Sequence, residues 1–108
     1  MGAVAIAVDL DGVVWLGDTP IPGGAEAVRR LREAGERVVF LTNNSYPTVA
    51  DHLAKLDRMG IECGPEDVAT SAQAAAGLLE PGTRALVVGG PGIAEALQAR
   101  GVEPVDAG

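Results

Sequence analysis

The sequence predicts an α/β fold in three layers, with a parallel sheet between helices and the sheet incomplete towards the C-terminus. Three observations carry that expectation. Short β-branched runs, apolar on both faces, alternate with amphipathic stretches of helical period. Gly, Pro or Asn bounds each unit. Residues that start or stop helices stand at the ends of the helical stretches. At 108 residues the chain has the size of one domain, long enough to bury a real core.

Taken in order, "AVAIAVDL" reads as the first strand, and "VVWLGDTPI" after Gly12 as a small flap closed by the proline-rich "DTPIPGG". "GGAEAVRRLREAG" places Ala25, Val28 and Leu31 on one stripe and stops at Gly35, which makes an amphipathic helix with a solvated charged face. "RVVFLTNN" is the second strand. "TVADHLAKLDRMG" is the second helix, with Val49, Leu53, Leu56 and Met59 on its stripe, Thr48 as N-cap and Gly60 as stop. Thr70 and Gln73 can form a capping box ahead of "SAQAAAGLL". "RALVVGG" reads as a third strand of the same sheet, Ile93 and Leu97 mark a last helix ending at Gly101, and "VEPVDAG" looks like one more strand. Right-handed crossovers would wind these units around a sheet whose ligand crevice lies beyond the carboxyl ends of the strands.

Composition excludes several classes. Eight basic and fifteen acidic residues give a net charge of −7, and no Lys/Arg cluster interleaves with aromatics, so nucleic acid is not an expected partner. The apolar N-terminal run is too short to span a bilayer, lacks a basic leader and is broken by Asp9; Ile6 spoils a myristoylation reading of "MGAVAI". No membrane association is expected. Cys63 is the only cysteine, so no internal disulfide can form, and a reducing cytoplasm is the expected compartment.

The chemistry is concentrated in "DLDG". Asp9 and Asp11 follow a run of small apolar residues, and burying such charges costs several kcal/mol or more unless something cationic compensates. One reading is a hairpin at Asp11–Gly12, folding "AIAVDL" back on "VVWL". The first run does not alternate as a half-exposed hairpin strand should. In a parallel strand, residues two apart emerge on one side, about 6 to 7 Å apart, so both carboxylates would face one pocket. A divalent cation would let both stay useful near neutral pH, and all-oxygen ligation without a Cys or His cluster favours Mg²⁺ over zinc. One carboxylate could then attack an electrophile while the other moves protons.

The sequences "VDLDGVVWLGDTPIPGG" and "VVFLTNNS" resemble the first two motifs of the haloacid dehalogenase superfamily of phosphotransferases. The "IPGG" and "LTNNS" forms, with "TSAQAAAGLL" and "LVVGGPGIAEALQARGV" in the same order, are most similar to its NagD-like and p-nitrophenyl-phosphate phosphatase branch. The resemblance implies a Rossmann-like core and Mg²⁺-dependent hydrolysis of small phosphorylated metabolites, such as a sugar phosphate, phosphoglycolate or nitrophenyl phosphate. It implies that Asp9 is the nucleophile that becomes aspartyl-phosphate and that Asp11 is the general acid and base. The Asp9 side chain and the Asp11 main-chain carbonyl would hold Mg²⁺. Gly12 would leave room for close backbone approach, while the Thr42 hydroxyl and the Asn43 N–H would meet the transferring phosphoryl group.

Departures from the pattern matter too. The family's later lysine and its acidic pair have no counterpart after Asn44, and the only lysine, Lys55, falls among surface positions of the second helix. Residues 1–108 therefore read as the N-terminal part of such a core, with the cap domain and the C-terminal half of the core absent. On that reading the sheet lacks neighbours for the first strand, leaving Val4, Ile6 and Val8 exposed, and the 108 residues alone would be weak or inactive.

Two other classes stay open. A receiver-like phosphoaspartate signalling domain would need its acceptor at the end of a middle strand, where "RALVVGG" has glycines; a non-catalytic fragment kept for packing or partner binding is the third reading. Homo-oligomerisation is left open. "VVGGPGIAE" contains G-x-G after a strand, but Glu95 stands where a dinucleotide fingerprint needs its third glycine, so a flexible start to the helix is the better account. His52 reads as a surface histidine, Cys63 as a buried or loop thiol, and Trp15 either as a flap residue over substrate or as ordinary core.

Overall fold

The computed structural model describes residues 5–106. Strand β1 (Ala5–Asp9) pairs in parallel with β4 (Arg37–Thr42), and β4 with β5 (Val68–Thr70), giving a three-stranded sheet in the order β1-β4-β5. Between β1 and β4 lie a hairpin, β2 (Trp15–Leu16) with β3 (Thr19–Pro20), and helix α1 (Gly24–Glu33). Helix α2 (Val49–Arg58) and a 3₁₀ turn over Pro65–Asp67 lead to β5. The α/β class and the parallel pairing are those expected, and the antiparallel hairpin at Asp11–Gly12 is not formed.

One face of this sheet carries the core. Val8, Val38, Phe40 and Val68 join Val28 of α1 and Leu56 of α2 in a single cluster, while Ala5, Ala7, Leu41 and Ala69 on the other face are exposed. Successive strands step in one direction across the sheet, so right-handed crossovers carry α1 and α2 over the same side. Among the described residues β1 is an edge strand. Ile6 and Val8 are half-buried there, and Val4 lies outside the described residues.

The expectation that "RALVVGG" joins this sheet is overturned. Strand β6 (Arg84–Val87) pairs in parallel with β7 (Glu103–Asp106) in a separate two-stranded sheet, joined by helix α4 (Pro91–Arg100). Its core is a second cluster, in which Ala72 and Ala76 of helix α3 (Ser71–Ala76) pack with Ala96, Leu97 and Val102. The place in the main sheet is taken by β5, whose three residues are too short a run to read as a strand against the helix that follows. Val68 and Thr70 are nonetheless buried in it.

The two units meet at the loop after β4. The Gly92 N–H donates to the Tyr46 carbonyl at 2.9 Å, and a Cβ at Gly92 would stand 2.1 Å from the Pro47 carbonyl oxygen. Only glycine permits that approach. Glu95 Oε2 accepts the Val49 N–H at 2.9 Å, so the carboxylate that breaks the dinucleotide pattern caps the first turn of α2. Both capping boxes form, Thr48 with Asp51 and Thr70 with Gln73.

Candidate active site

The first strand ends at Asp9, in register with Leu41, and the chain then turns sharply. The Leu10 carbonyl accepts N–H groups from Val13, Val14 and Trp15, while the Gly12 N–H donates back to the Trp15 carbonyl at 2.7 Å. That turn requires φ of +87° at Gly12, a left-handed conformation suited to glycine. A Cβ there would meet nothing within 4 Å, so the glycine answers to backbone conformation and not to close approach by this chain's own atoms.

Leu10 is fully buried, and this anchors the turn while Asp9 and Asp11 on either side stay exposed. The cation expected to offset their burial is therefore not demanded by desolvation. Asp11 is nevertheless fixed at both oxygens. Trp15 Nε1–H donates to its Oδ1 at 3.1 Å and the Thr42 hydroxyl to its Oδ2 at 3.2 Å. Thr42, at the end of β4 and buried, also accepts the Asn44 N–H at 3.0 Å. Asn43 is exposed, and its carbonyl accepts from Ser71 Oγ at 3.1 Å, which orients the peptide after Thr42. Parallel pairing thus brings the ends of β1 and β4 together and joins Asp11 to Thr42 across 31 residues of sequence.

Two residues escaped the sequence reading. His52 is buried, not on the surface, because it lies one helical turn before Leu56 on the inward stripe of α2; its Nε2 has no hydrogen-bond partner. Lys55 sits 4.3 Å from the centroid of the Trp15 ring and donates to the Gly17 carbonyl at 2.8 Å. Together with Asp11, Trp15 and Asn44 they line a cavity of about 180 Å³. A larger hollow of about 550 Å³ between α1 and Gly60–Glu62 contains neither Asp9 nor Asp11, and the charges of α1 on its rim pair with one another. Of the two, only the smaller is lined by Asp11.

Elsewhere the titration shifts are structural. Burial pushes the Cys63 thiol up, against the pull of Arg32 beside it, which disfavours the thiolate. Asp67 is pushed up by burial, but the Gly64 N–H and Arg37 outweigh that and hold its carboxyl below the usual value.

For a metal, the end of β1 offers hard oxygens, those of the Asp9 and Asp11 carboxylates and of the backbone carbonyls beside them. No group of three or more His, Cys, Asp or Glu suited to a metal occurs among the described residues. Such a set fits Mg²⁺, which keeps several waters and takes one or two carboxylates plus phosphate oxygens, and does not fit a closed zinc site.

Residues 6–103 match the sequence pattern of the haloacid dehalogenase-like hydrolases. The chain belongs to that family. Human glycerol-3-phosphate phosphatase is 40% identical over 111 residues, covering 93% of this chain and 35% of the human protein. A glycerol phosphate phosphatase from Mycobacterium tuberculosis, solved in complex with magnesium, superposes with a TM-score of 0.84 at 37% identity, covering 94% of this chain and 31% of that one. A p-nitrophenyl phosphatase from Archaeoglobus fulgidus gives 0.83 at 33% identity, covering 94% and 40%. The chain spans about a third of the length of the curated relatives it matches. No helix among its described residues is long and apolar enough to cross a membrane.

Proposed function

We propose that the whole protein is a Mg²⁺-dependent phosphatase of small phosphate monoesters, and that residues 1–108 are the N-terminal part of its catalytic core. The observation that carries this reading is the hydrogen bond from Thr42 to Asp11, which ties the acidic turn after β1 to the polar end of its parallel neighbour β4. Family membership and the glycerol phosphate and nitrophenyl phosphate phosphatases among its relatives support it.

The Asp9 carboxylate attacks phosphorus and the ester P–O bond breaks, leaving aspartyl-phosphate on Asp9. Asp11 gives its proton to the departing alkoxide oxygen. In the second half Asp11, now a carboxylate, takes a proton from water as that water attacks phosphorus, which frees phosphate and restores Asp9. The Asn43 N–H donates to the phosphoryl oxygens, and the Thr42 hydroxyl, whose single proton holds Asp11 Oδ2 in the free protein, turns to them when the phosphoryl group arrives, since this transfer is governed by positioning and preorganised donors. Mg²⁺, held by the Asp9 carboxylate and the Asp11 carbonyl, would offset charge on the phosphoryl group.

The substrates expected are glycerol phosphate, phosphoglycolate or a sugar phosphate, with p-nitrophenyl phosphate as a convenient surrogate. Trapping with labelled substrate or a metal fluoride in the full-length protein should place one adduct on Asp9. An adduct on any other residue would refute the assignment.

A further inference from the structure

We infer that Trp15 and Lys55 are positioning residues for Asp11, a role that rests on the phosphatase reading above. Asp11 projects from an exposed turn, where a short carboxylate would ordinarily sample several rotamers. The indole N–H of Trp15 removes that freedom by holding Oδ1, and the Thr42 hydroxyl holds Oδ2. A proton donor works only when aimed at the leaving oxygen, so this restraint bears on the reaction itself.

Trp15 is in turn held on both sides. Its ring is 2% exposed in the main core, and the Lys55 ammonium lies over it at 4.3 Å. Lys55 also reaches the Gly17 carbonyl at the tip of the β2–β3 hairpin, so one α2 side chain touches both the start and the tip of the hairpin. Its ion pair with Asp18, at 3.5 Å, adds little because Asp18 is fully exposed. A cation on the ring face draws density from the indole and strengthens N–H donation to the carboxylate. The sole lysine of the chain therefore acts on Asp11 through the Trp15 ring, and all three side chains line the same cavity.

Leaving-group dependence separates positioning from plain packing. Glycerol phosphate releases a basic alkoxide that needs the proton of Asp11, whereas p-nitrophenolate departs without one. In single-turnover transfer to the full-length protein, Lys55→Met and Trp15→Phe should each slow glycerol phosphate relative to p-nitrophenyl phosphate by about tenfold, a fraction of the ~10²–10⁴ that general acids supply. Lys55→Arg should restore the ratio. Lys55 is partly exposed, so its variants keep the test valid should Trp15→Phe fold poorly.

A second readout is independent of turnover. Trp15 is the only tryptophan of the 108 residues, and a full-length background with any other tryptophans replaced reports on it alone. Its emission should shift in both Asp11→Asn and Lys55→Met. Equal slowing of both substrates, or no shift in emission, would overturn the positioning role while leaving the phosphatase reading intact. Absence of Asp9-dependent transfer in the unaltered protein would overturn both.

Discussion

The unit built on β1, β4 and β5 buries Phe40, Leu10 and Leu56 completely, whereas the unit built on β6 and β7 is closed largely by alanines, with only Leu97 and Val102 as larger buried groups. Around the second sheet, Leu86 is 61% and Val88 82% exposed. Burial stabilises roughly in proportion to apolar area, so the first unit has the larger stabilising core. It is also the one that carries Asp9, Asp11 and Thr42. The second unit meets the first beside that turn at the loop after β4 and the start of α2: Gly92 on Tyr46 and Pro47, Glu95 on Val49, and Ser71 of α3 on Asn43. The larger core supports the turn that carries Asp9 and Asp11, and the smaller unit braces the loop beside it.

The largest effects should fall on the acidic turn. Asp9→Asn should abolish covalent phosphoryl transfer, while Asp11→Asn should leave slow transfer from p-nitrophenyl phosphate and cost ~10²–10⁴ with an alkyl phosphate. Rapid-quench measurements with the two leaving groups would show it. Equal tolerance of both changes would contradict the division of roles.

Next come the two cores. Phe40→Ala should cost about 3–5 kcal/mol and loosen the site with the whole first unit. Leu97→Ala should cost about 2–5 kcal/mol, with the increase in amide exchange confined to α3, α4, β6 and β7. Hydrogen exchange read residue by residue distinguishes a local from a global loss. If Leu97→Ala speeds exchange in β1 and β4 equally, the two units are one cooperative body.

Gly92→Ala tests the contact between them. Its Cβ would press on two carbonyl oxygens, those of Pro47 and Ser45, so a loss of about 1–3 kcal/mol and displacement of the loop after Thr42 are expected. Thermal denaturation and the amide shifts of Asn43 and Asn44 would report it.

The smallest effect is a pH dependence at the foot of β4. Arg37 and the Gly64 N–H lower the Asp67 carboxyl in the folded state, so its contribution is fully present above the ordinary carboxylate pKa of about 4. It is lost as pH falls through the lower folded value. Asp67→Asn should therefore flatten part of the acid limb of a stability curve and leave neutral-pH turnover unchanged.

Local structure was legible because its causes are local. Thr48 with Asp51, and Thr70 with Gln73, cap helices across three residues; the stripe of α1 through Val28 and the stops at Gly35 and Gly60 follow from helical period and left-handed backbone. The motif "DLDG" at a strand end announced the acidic site for the same reason. His52 was misplaced because a polar side chain on an otherwise apolar stripe gives no sign, within its own helix, of what will pack over it.

What the sequence by itself determined is the alternation of strands and helices, with polar turns at the ends of the first two strands, since period, caps and turn chemistry depend on residues a few positions apart. Tertiary structure alone decided that "RALVVGG" pairs with β7 and not β4, that Glu95 caps α2 across 46 residues, and that Lys55 reaches Gly17 across 38 to lie over Trp15. These are contacts between distant segments. Many partners satisfy the hydrogen bonds of an apolar strand or the charge of a lysine equally well, and only simultaneous packing of the whole chain selects among them.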